Sequence, residues 1–477
     1  MRLLFCCEFY YPSVGGVQEV MRQLAERMVQ RGHQVTVATS RLANRVSKNL
    51  NGVSIEEFGV MGNAVRGMIG EVERYREFIL HADVDAILIK AAQQWTFDAL
   101  WPVVDQIRAR KVFIPCGFSS LYQPAYADYF RQLPDILRSF DHLIFYASKY
   151  RDIDFAVDHG MDHFTIIPNG ANEVEFETAR DGFFRERHNI PDESFVFMTV
   201  GSLTGMKGHL ELAKAFLRLD VDARPAVLIL NGNNAQITTV VSSPQPMNGS
   251  AENATNMAAE SPDQTSSKLT FFPFVALNRR LYRYLKIIWE ALSVRGWLGI
   301  LDLAGVVIQR RVPFMYHALA KTSLFRFLDP LQYLVMKINN GPSLKRVLLV
   351  DLPRHELIQA YKNADLFVFA SNVEYSPLVL FEAAAAGLPF LTVPVGNAAE
   401  IADWTGCGVI CPANVDSKGY TRVDPGVLAK HMREAMGSPD LLKELGQKGY
   451  ERWKEKYSWS KIVVDYEEVL AGSASDK

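Results

Sequence analysis

The chain has 477 residues, of which 48% are hydrophobic and 22% charged, and its net charge at pH 7 is −2. This length exceeds what one hydrophobic core usually holds and predicts about two to three domains of ordinary globular composition. The slightly acidic balance argues against general nucleic-acid binding. The five cysteines form no disulfide framework. Because we find neither a signal peptide nor an apolar stretch long enough for a transmembrane helix, we expect a cytosolic protein with reduced thiols.

The first 175 residues alternate between predicted strands and helices. Residues 2–9 predict a buried strand, and a loop with Gly15 and Gly16 follows it. Apolar residues then recur at helical spacing, and further helices are expected at 70–81 and 94–110. This alternation predicts a doubly wound parallel sheet. Two adjacent glycines would let a substrate approach the backbone closely, although a tight turn uses the same residues, and the complete G-x-G-x-x-G of a dinucleotide site is absent.

A second α/β domain is predicted from 190 to 456, with a last helix at 457–472. It opens with FVFMTVGSLTGMKGHLELAKAF at 195–216, which predicts a strand, a loop bounded by glycines and a helix. The loop contains Lys207, a cation placed where it could meet an anionic ligand. A lysine at such a loop is also commonly just solvated.

An insertion at 235–345 interrupts this second domain. Residues 240–268 are rich in Ser, Asn, Pro and Thr, which predicts disorder. Residues 269–346 contain twelve Lys or Arg against three Asp or Glu, and the apolar residues of 278–294 share one helical face. The basic amphipathic part, 269–340, could lie on an anionic membrane. It could equally pack as a helical subdomain, mediate oligomerisation, or bind a lipid-diphosphate acceptor.

The stretch from Ser371 to Ile401 carries the clearest chemical signal. A strand ends before a polar turn with Glu374, and an Ala-rich helix opened by Pro377 carries Glu382. In open α/β sheets, ligands bind at the carboxyl ends of the strands. Helix-start amides favour phosphates there, and carboxylates accept hydrogen bonds from hydroxyls. The combination predicts a site for a sugar nucleotide, whereas the simpler alternative is an ordinary strand–helix unit with two surface glutamates.

Glu374 and Glu382 enclose seven residues, and E-x7-E followed by E-A-x-A-x-G-x-P resembles the signature of the family-4 (group 1) retaining glycosyltransferases. The resemblance implies the GT-B fold, with two Rossmann-like domains facing across a cleft. It also implies that Glu374 lies at the transferred sugar, that Glu382 binds the ribose hydroxyls, and that Lys207 neutralises the donor diphosphate. The predicted catalytic residues are Glu374 and Lys207, and the predicted donor-binding residues are Gly15, Gly16, Gly201, Ser202, Lys207, Ser376, Pro377, Leu378, Glu382 and Asn397.

Two positions depart from the family pattern. Ser202 stands where the family has an arginine at the diphosphate, and a hydroxyl supplies no charge. Residues 114–119 contain no histidine, although many members carry one there. Elsewhere the pattern matches: the turn at 167–170 resembles the junction between the two domains, and 457–472 resembles the helix that crosses back to the first domain.

The sequence therefore predicts a glycosyltransferase that transfers a sugar from a nucleotide-sugar donor to a hydroxyl of a glycan or lipid-linked acceptor. The family implies retention without a metal ion or other cofactor, and we assign no general base, because the departing diphosphate could accept the proton. Bacterial surface-polysaccharide or lipopolysaccharide assembly is the expected setting, in the cytoplasm or on the inner face of the plasma membrane. A catalytically silent binder of sugar nucleotides or lipid head groups, a GT-B epimerase and a phosphorylase remain alternatives.

Overall fold

The computed structural model describes residues 1–222, 224–232, 329–341 and 344–473. By their contacts, residues 1–244 and 341–477 belong to one compact unit and residues 245–340 to another. The predicted disorder at 240–268 lies outside the described residues, as does nearly all of the predicted amphipathic segment 269–340. Both stay predictions, as do the domain bounds inferred from the sequence.

The first sheet has eight strands, in the order β10–β9–β8–β7–β1–β2–β4–β3. All neighbours pair in parallel except β3, which pairs antiparallel with β4, and β5 and β6 form a separate hairpin. The strands are β1 (Arg2–Cys6), β2 (Gln34–Ser40), β3 (Asn49–Leu50), β4 (Val53–Phe58), β5 (Val60–Asn63), β6 (Gly67–Gly70), β7 (Ala86–Lys90), β8 (Arg110–Ile114), β9 (His142–Phe145) and β10 (Phe164–Ile166).

The helices of this part are α1 (Gly16–Gln30), α2 (Val72–Leu80), α3 (Trp95–Asp98), α4 (Ala127–Arg138) and α5 (Arg151–Asp158). Helix α1 forms as its apolar spacing predicts, and its face containing Val20, Met21, Leu24 and Met28 is buried.

The long helix predicted at 94–110 is wrong. Helix α3 has a single turn, and a 3₁₀ helix, Trp101–Gln106, follows it. The last α-helical hydrogen bond runs from the amide of Ala99 to the carbonyl of Trp95, and Leu100 already donates to Phe97. Pro102 cannot restore the α-helical pattern, because it has no amide hydrogen to donate to the carbonyl of Asp98.

The second sheet has six strands, all parallel, in the order β13–β12–β11–β14–β15–β16. The strands are β11 (Phe195–Val200), β12 (Ala226–Asn231), β13 (Lys345–Val350), β14 (Leu366–Phe369), β15 (Phe390–Thr392) and β16 (Gly408–Ile410), and a small hairpin joins β17 (Asn414–Val415) to β18 (Thr421–Arg422). The expectation of two parallel sheets with helices between their strands is thereby confirmed. The strand order reverses between β1 and β7 in the first sheet and between β11 and β14 in the second, which are the places where open α/β sheets bind ligands.

The remaining helices are α6 (Glu173–Phe176), α7 (Phe184–Arg187), α8 (His209–Arg218), α9 (Pro330–Asn339), α10 (Arg354–Asn363), α11 (Leu378–Ala385), α12 (Ala398–Thr405), α13 (Pro425–Met436), α14 (Pro439–Arg452) and α15 (Trp459–Ala471). The last of them, α15, packs on the first sheet, where Trp459, Ile462 and Tyr466 share one buried cluster with Phe5 and Val37. No helix within the described ranges combines the length and apolar character needed to span a membrane.

Candidate active site

A cation and a carboxylate meet where the strand order of the second sheet reverses. Strands β11 and β14 are parallel neighbours, so the loop after one and the turn after the other leave the sheet at the same edge. Lys207 Nζ in the first of these donates a hydrogen bond to Glu374 Oε1 in the second. The backbone joins them too, since the amide of Asn372 donates to the carbonyl of Met206 at 2.8 Å. The two predicted catalytic residues are therefore in direct contact.

Two glycines let the Lys207 loop pack this closely. At Gly208, where φ is +73°, a Cβ would lie 1.9 Å from the carbonyl oxygen of Ala370. At Gly201 a Cβ would lie 2.9 Å from Cβ of Lys207. Ser202 follows directly and makes no hydrogen bond within the described parts of the chain. The loop thus presents one positive charge, from Lys207.

Glu382 lies in helix α11 and is held by helix α10. Its Oε1 lies 2.6 Å from Nη2 of Arg354, and its Oε2 accepts a hydrogen bond from the hydroxyl of Tyr361 at 3.0 Å. Burial, with the neighbouring Glu382 carboxylate, raises the pKa of Tyr361 well above its usual value, so this hydroxyl stays a donor. The two glutamates of the motif therefore have separate partners, Lys207 for Glu374 and α10 for Glu382.

The predicted glycine loop of the first sheet reaches the same helix, α11. Gly15 precedes α1 in an extended conformation, with φ of 173°, which any residue can adopt. A Cβ at Gly16 would have Leu378 Cδ1 as its nearest neighbour, at 3.8 Å. Gly16 and Leu378, predicted separately as donor-binding residues, are thus brought together. The protein's own packing does not require a glycine at position 16.

Ser376 and Pro377 form the turn that opens α11. Pro377 caps the helix, and the carbonyl of Ser376 accepts a hydrogen bond from Asn169 Nδ2 at 3.1 Å, so the turn at 167–170 reaches this site. The Oγ of Ser376 is buried without a hydrogen-bond partner among the described residues. Because buried hydroxyls are normally paired, this atom is suited to a ligand contact.

The turn at Asn397, which was predicted to bind the donor, uses several of its donors within the protein. The amide of Asn397 donates to the carbonyl of Tyr375 at 2.8 Å, and the amide of Ala398 donates to Val395 at 3.0 Å. The side chain of Asn397 donates to the carbonyl of Tyr146 at 2.8 Å. These three donors are used within the protein, whereas Oδ1 of Asn397 is buried without a hydrogen-bond partner among the described residues. A donor-binding role for Asn397 therefore stays a prediction that rests on this oxygen.

Two family models match the sequence. The model described as glycosyl transferases group 1 matches residues 339–452, and the model described as glycosyltransferase family 4 matches residues 14–174. Together they cover more than half of the chain. The chain belongs to the group 1 glycosyltransferases. No curated protein matches the sequence.

Solved structures share the fold of this group 1 glycosyltransferase at low sequence identity. Sucrose-phosphate synthase from Thermosynechococcus elongatus is 17% identical, with a TM-score of 0.61 over 99% of this chain and 100% of that one. HepE of Anabaena, solved with UDP and glucose, is 14% identical, with a TM-score of 0.59 over 99% and 100%. WaaG, a glycosyltransferase involved in lipopolysaccharide biosynthesis, is 15% identical, with a TM-score of 0.56 over 98% and 100%. The predicted GT-B fold is confirmed.

Tyr375 follows Glu374 directly, and it connects the candidate site of the glycosyltransferase to residues that follow strand β9 of the first sheet. Its ring stacks on Tyr150 with centroids 4.6 Å apart, and its hydroxyl accepts a hydrogen bond from the amide of Tyr146 at 3.1 Å. Tyr150 in turn donates to the carbonyl of Glu374 at 2.8 Å. The sequence does not single out these three tyrosines, because nothing in a lone aromatic residue shows which distant ring it will contact.

Lys90 was also missed. It ends β7 of the glycosyltransferase, where a lysine usually reaches solvent, but only 1% of it is exposed. Its Nζ donates to the hydroxyl of Tyr146. Burial lowers the pKa of Lys90 to about 8.

Among the described residues no group of three or more His, Cys, Asp or Glu is placed to hold a metal ion.

Proposed function

We propose that this glycosyltransferase transfers a sugar from a nucleotide-sugar donor to an acceptor hydroxyl, with retention of the anomeric configuration. The observation that carries the proposal is the contact between Lys207 and Glu374 where the strand order of the second sheet reverses. The close approach of Leu378 to Gly16 supports it. A cation for a diphosphate, a carboxylate for sugar hydroxyls and an open approach to the backbone are the parts such a donor needs. The likeness to HepE, solved with UDP and glucose, supports this donor class.

Each residue of the site would contact a different part of the donor. Lys207 exchanges its partner Glu374 for the donor diphosphate, and the released Glu374 carboxylate accepts hydrogen bonds from the transferred sugar. Glu382 accepts hydrogen bonds from the ribose hydroxyls. The amides at the start of α1, behind Gly16, favour the negative charge of the diphosphate. Gly15, Gly201, Ser202, Ser376 and Pro377 would line the same donor site.

The bond between the anomeric carbon and the diphosphate oxygen breaks with its electron pair on the diphosphate. The acceptor oxygen forms its bond on the same face, and its proton passes to the diphosphate. Lys207 stabilises the charge that develops on the leaving group. We propose that neither a metal ion nor another cofactor is needed, because Lys207 and the helix amides oppose this charge.

For the acceptor, we propose a glycan or lipid-linked hydroxyl in the assembly of a bacterial surface polysaccharide or lipopolysaccharide. The likeness to WaaG supports this setting. The reaction would take place in the cytoplasm, and the basic residues of 269–340 would hold the enzyme to the inner face of the membrane.

A panel of nucleotide sugars tests the donor assignment by thermal shift. At about 100 times its Kd, the true donor should add about 2.7 kcal/mol to the free energy of unfolding. Glu382→Ala should remove most of this gain, because the ribose hydroxyls lose their acceptor. Glu356→Ala is the control, since Glu356 is also paired with an arginine, Arg187, but lies outside the site.

Absence of any shift across the panel would contradict the proposal. Product analysis separates the alternatives once a donor binds. A transferase releases free nucleoside diphosphate when acceptor is supplied, and NMR of the product shows whether the anomeric configuration is kept. An epimerase would convert the donor without an acceptor, and a silent binder would leave it intact.

Gly16→Ala should separate donor binding from stability. The new methyl group has space in the protein and favours the helix, so the free energy of unfolding should stay equal or rise by a few tenths of a kcal/mol. Donor affinity should fall about tenfold, equivalent to about 1.4 kcal/mol, because the diphosphate could no longer approach the backbone.

Calorimetric titration and thermal unfolding measure these two effects. Gly182→Ala is the matched control, because a Cβ there meets nothing within 4 Å and the residue is exposed. Unchanged donor affinity in Gly16→Ala would remove this loop from the donor site.

A further inference from the structure

Arg354 contacts two carboxylates through one guanidinium. Its Nη2 lies 2.6 Å from Glu382 Oε1, and the same nitrogen lies 2.6 Å from Glu175 Oε2. Its Nε donates to Glu175 Oε1 at 3.1 Å. The contact with Glu175 is therefore bidentate, a geometry that fixes the plane of a guanidinium. Arg354 is held in place by Glu175 and presents its charge to Glu382.

Tyr361 holds the other oxygen of Glu382. Its hydroxyl donates to Oε2 at 3.0 Å, and its fully buried ring stacks on Phe367 with centroids 5.4 Å apart. Each oxygen of Glu382 thus has one partner on helix α10, an ion pair with Arg354 at Oε1 and a hydrogen bond from Tyr361 at Oε2. An ionised carboxylate offers about four acceptor positions, so lone pairs remain for further hydroxyl donors while the carboxylate itself cannot rotate.

Glu175 lies in the segment that links the two sheets. Two residues before it, Glu173 pairs with Arg27 of α1 at 2.9 Å, and Asn172 Oδ1 accepts a second hydrogen bond from Arg27 at 3.1 Å. This segment is therefore bound to helix α1 through Arg27 and to helix α10 through Arg354. A series of contacts thus runs from Arg27 through the link between the sheets to Glu382.

We propose that Arg354 is the positioning residue for Glu382: it fixes the carboxylate so that its remaining lone pairs meet the ribose hydroxyls of the nucleotide. The inference rests on the proposed function, which assigns Glu382 to the ribose. Arg354 itself touches no reacting atom and acts through Glu382. Glu175 extends this positioning to the segment between the sheets.

The chain contains a matched control for this arginine. Arg187 also contacts two carboxylates, Asp181 at 2.6 Å and Glu356 at 2.9 Å, and Glu356 belongs to the same helix, α10. The side chains of Arg187 and Arg354 are 42% and 41% exposed. Arg187→Gln therefore removes a comparable set of ion pairs without touching Glu382.

The experiment measures the Kd of the full-length chain for UDP, ADP, GDP, CDP and dTDP by calorimetry, and then compares variants with the nucleotide that binds most tightly. Arg354→Gln should weaken binding at least about tenfold, and Arg187→Gln less than about twofold. Arg354→Lys, which keeps the charge but loses the bidentate contact with Glu175, should fall between wild type and Arg354→Gln. The double variant of Arg354→Gln with Glu382→Ala should bind no more weakly than Glu382→Ala alone.

Each alternative result contradicts the inference and shows whether the proposed function fails with it. If Glu382→Ala weakens binding but Arg354→Gln behaves like Arg187→Gln, Arg354 is not a positioning residue and the proposed function stands. If Arg354→Gln binds more tightly, Arg354 competes with the ribose for Glu382. If Glu382→Ala itself binds like wild type, the ribose assignment is wrong and the inference fails with it. Should Arg354→Gln fail to fold, Glu175→Gln, which leaves Arg354 in place without its anchor, must still weaken binding about threefold.

Discussion

Replacing Lys207 with methionine should lower kcat/KM for sugar transfer by two to three orders of magnitude. Removing one group that stabilises developing negative charge typically costs about 2.7–4 kcal/mol in the transition state. The loss should fall at the upper end here for two reasons. Ser202 supplies no charge on the same loop, and the variant leaves Glu374 without the cation that now balances it.

Initial rates with saturating acceptor measure the effect, with Lys214→Met as control, since Lys214 lies in the helix after the same loop and is exposed. Adding Ser202→Arg to the Lys207→Met variant should recover part of the lost rate, because it returns one charge to the loop. A loss of less than about fivefold in Lys207→Met would show that Lys207 is a solvated lysine and not the partner of the leaving group.

Lys90→Met should stabilise the protein at pH 7 and lose that advantage as the solution becomes alkaline. Burial lowers the pKa of Lys90 from 10.5 to about 8 in the folded protein. Between these values the unfolded chain binds a proton that the folded chain does not, so the stability of the wild type rises with pH. This difference in pKa corresponds to about 3 kcal/mol.

The free energy of unfolding in urea, measured at pH 7 and at pH 10.5, tests this. Methionine also removes the hydrogen bond to Tyr146, at a cost of about 1 kcal/mol, so the net gain at pH 7 should be about 2 kcal/mol. That cost is the same at both pH values, so the difference between variant and wild type should still change by about 3 kcal/mol between them. An equal difference at both pH values, or the same change in the control Lys214→Met, would contradict a buried, destabilised charge at position 90.

Local patterns in the sequence were enough to predict the two parallel sheets and the family. Strands and amphipathic helices follow from apolar periodicity over a few residues, and the spacing of Glu374 and Glu382 is itself a local feature. The same reasoning failed at 94–110, where the apolar pattern continued but the α-helical hydrogen bonds gave way to a 3₁₀ helix that contains Pro102. Nor did it show that the amide and side-chain donors of Asn397 are used by Tyr375 and Tyr146.

What the sequence determined by itself is therefore the order of strands and helices, and the presence of Lys207, Glu374 and Glu382 beside particular strand ends. Only the tertiary structure decided the partners of these residues: Lys207 for Glu374, and Arg354 with Tyr361 for Glu382. The tertiary structure also decided that Lys90 is buried. The physical reason is that an ion pair or a desolvated charge depends on which helices and strands become neighbours, and residues far apart in the chain carry no local mark of that packing.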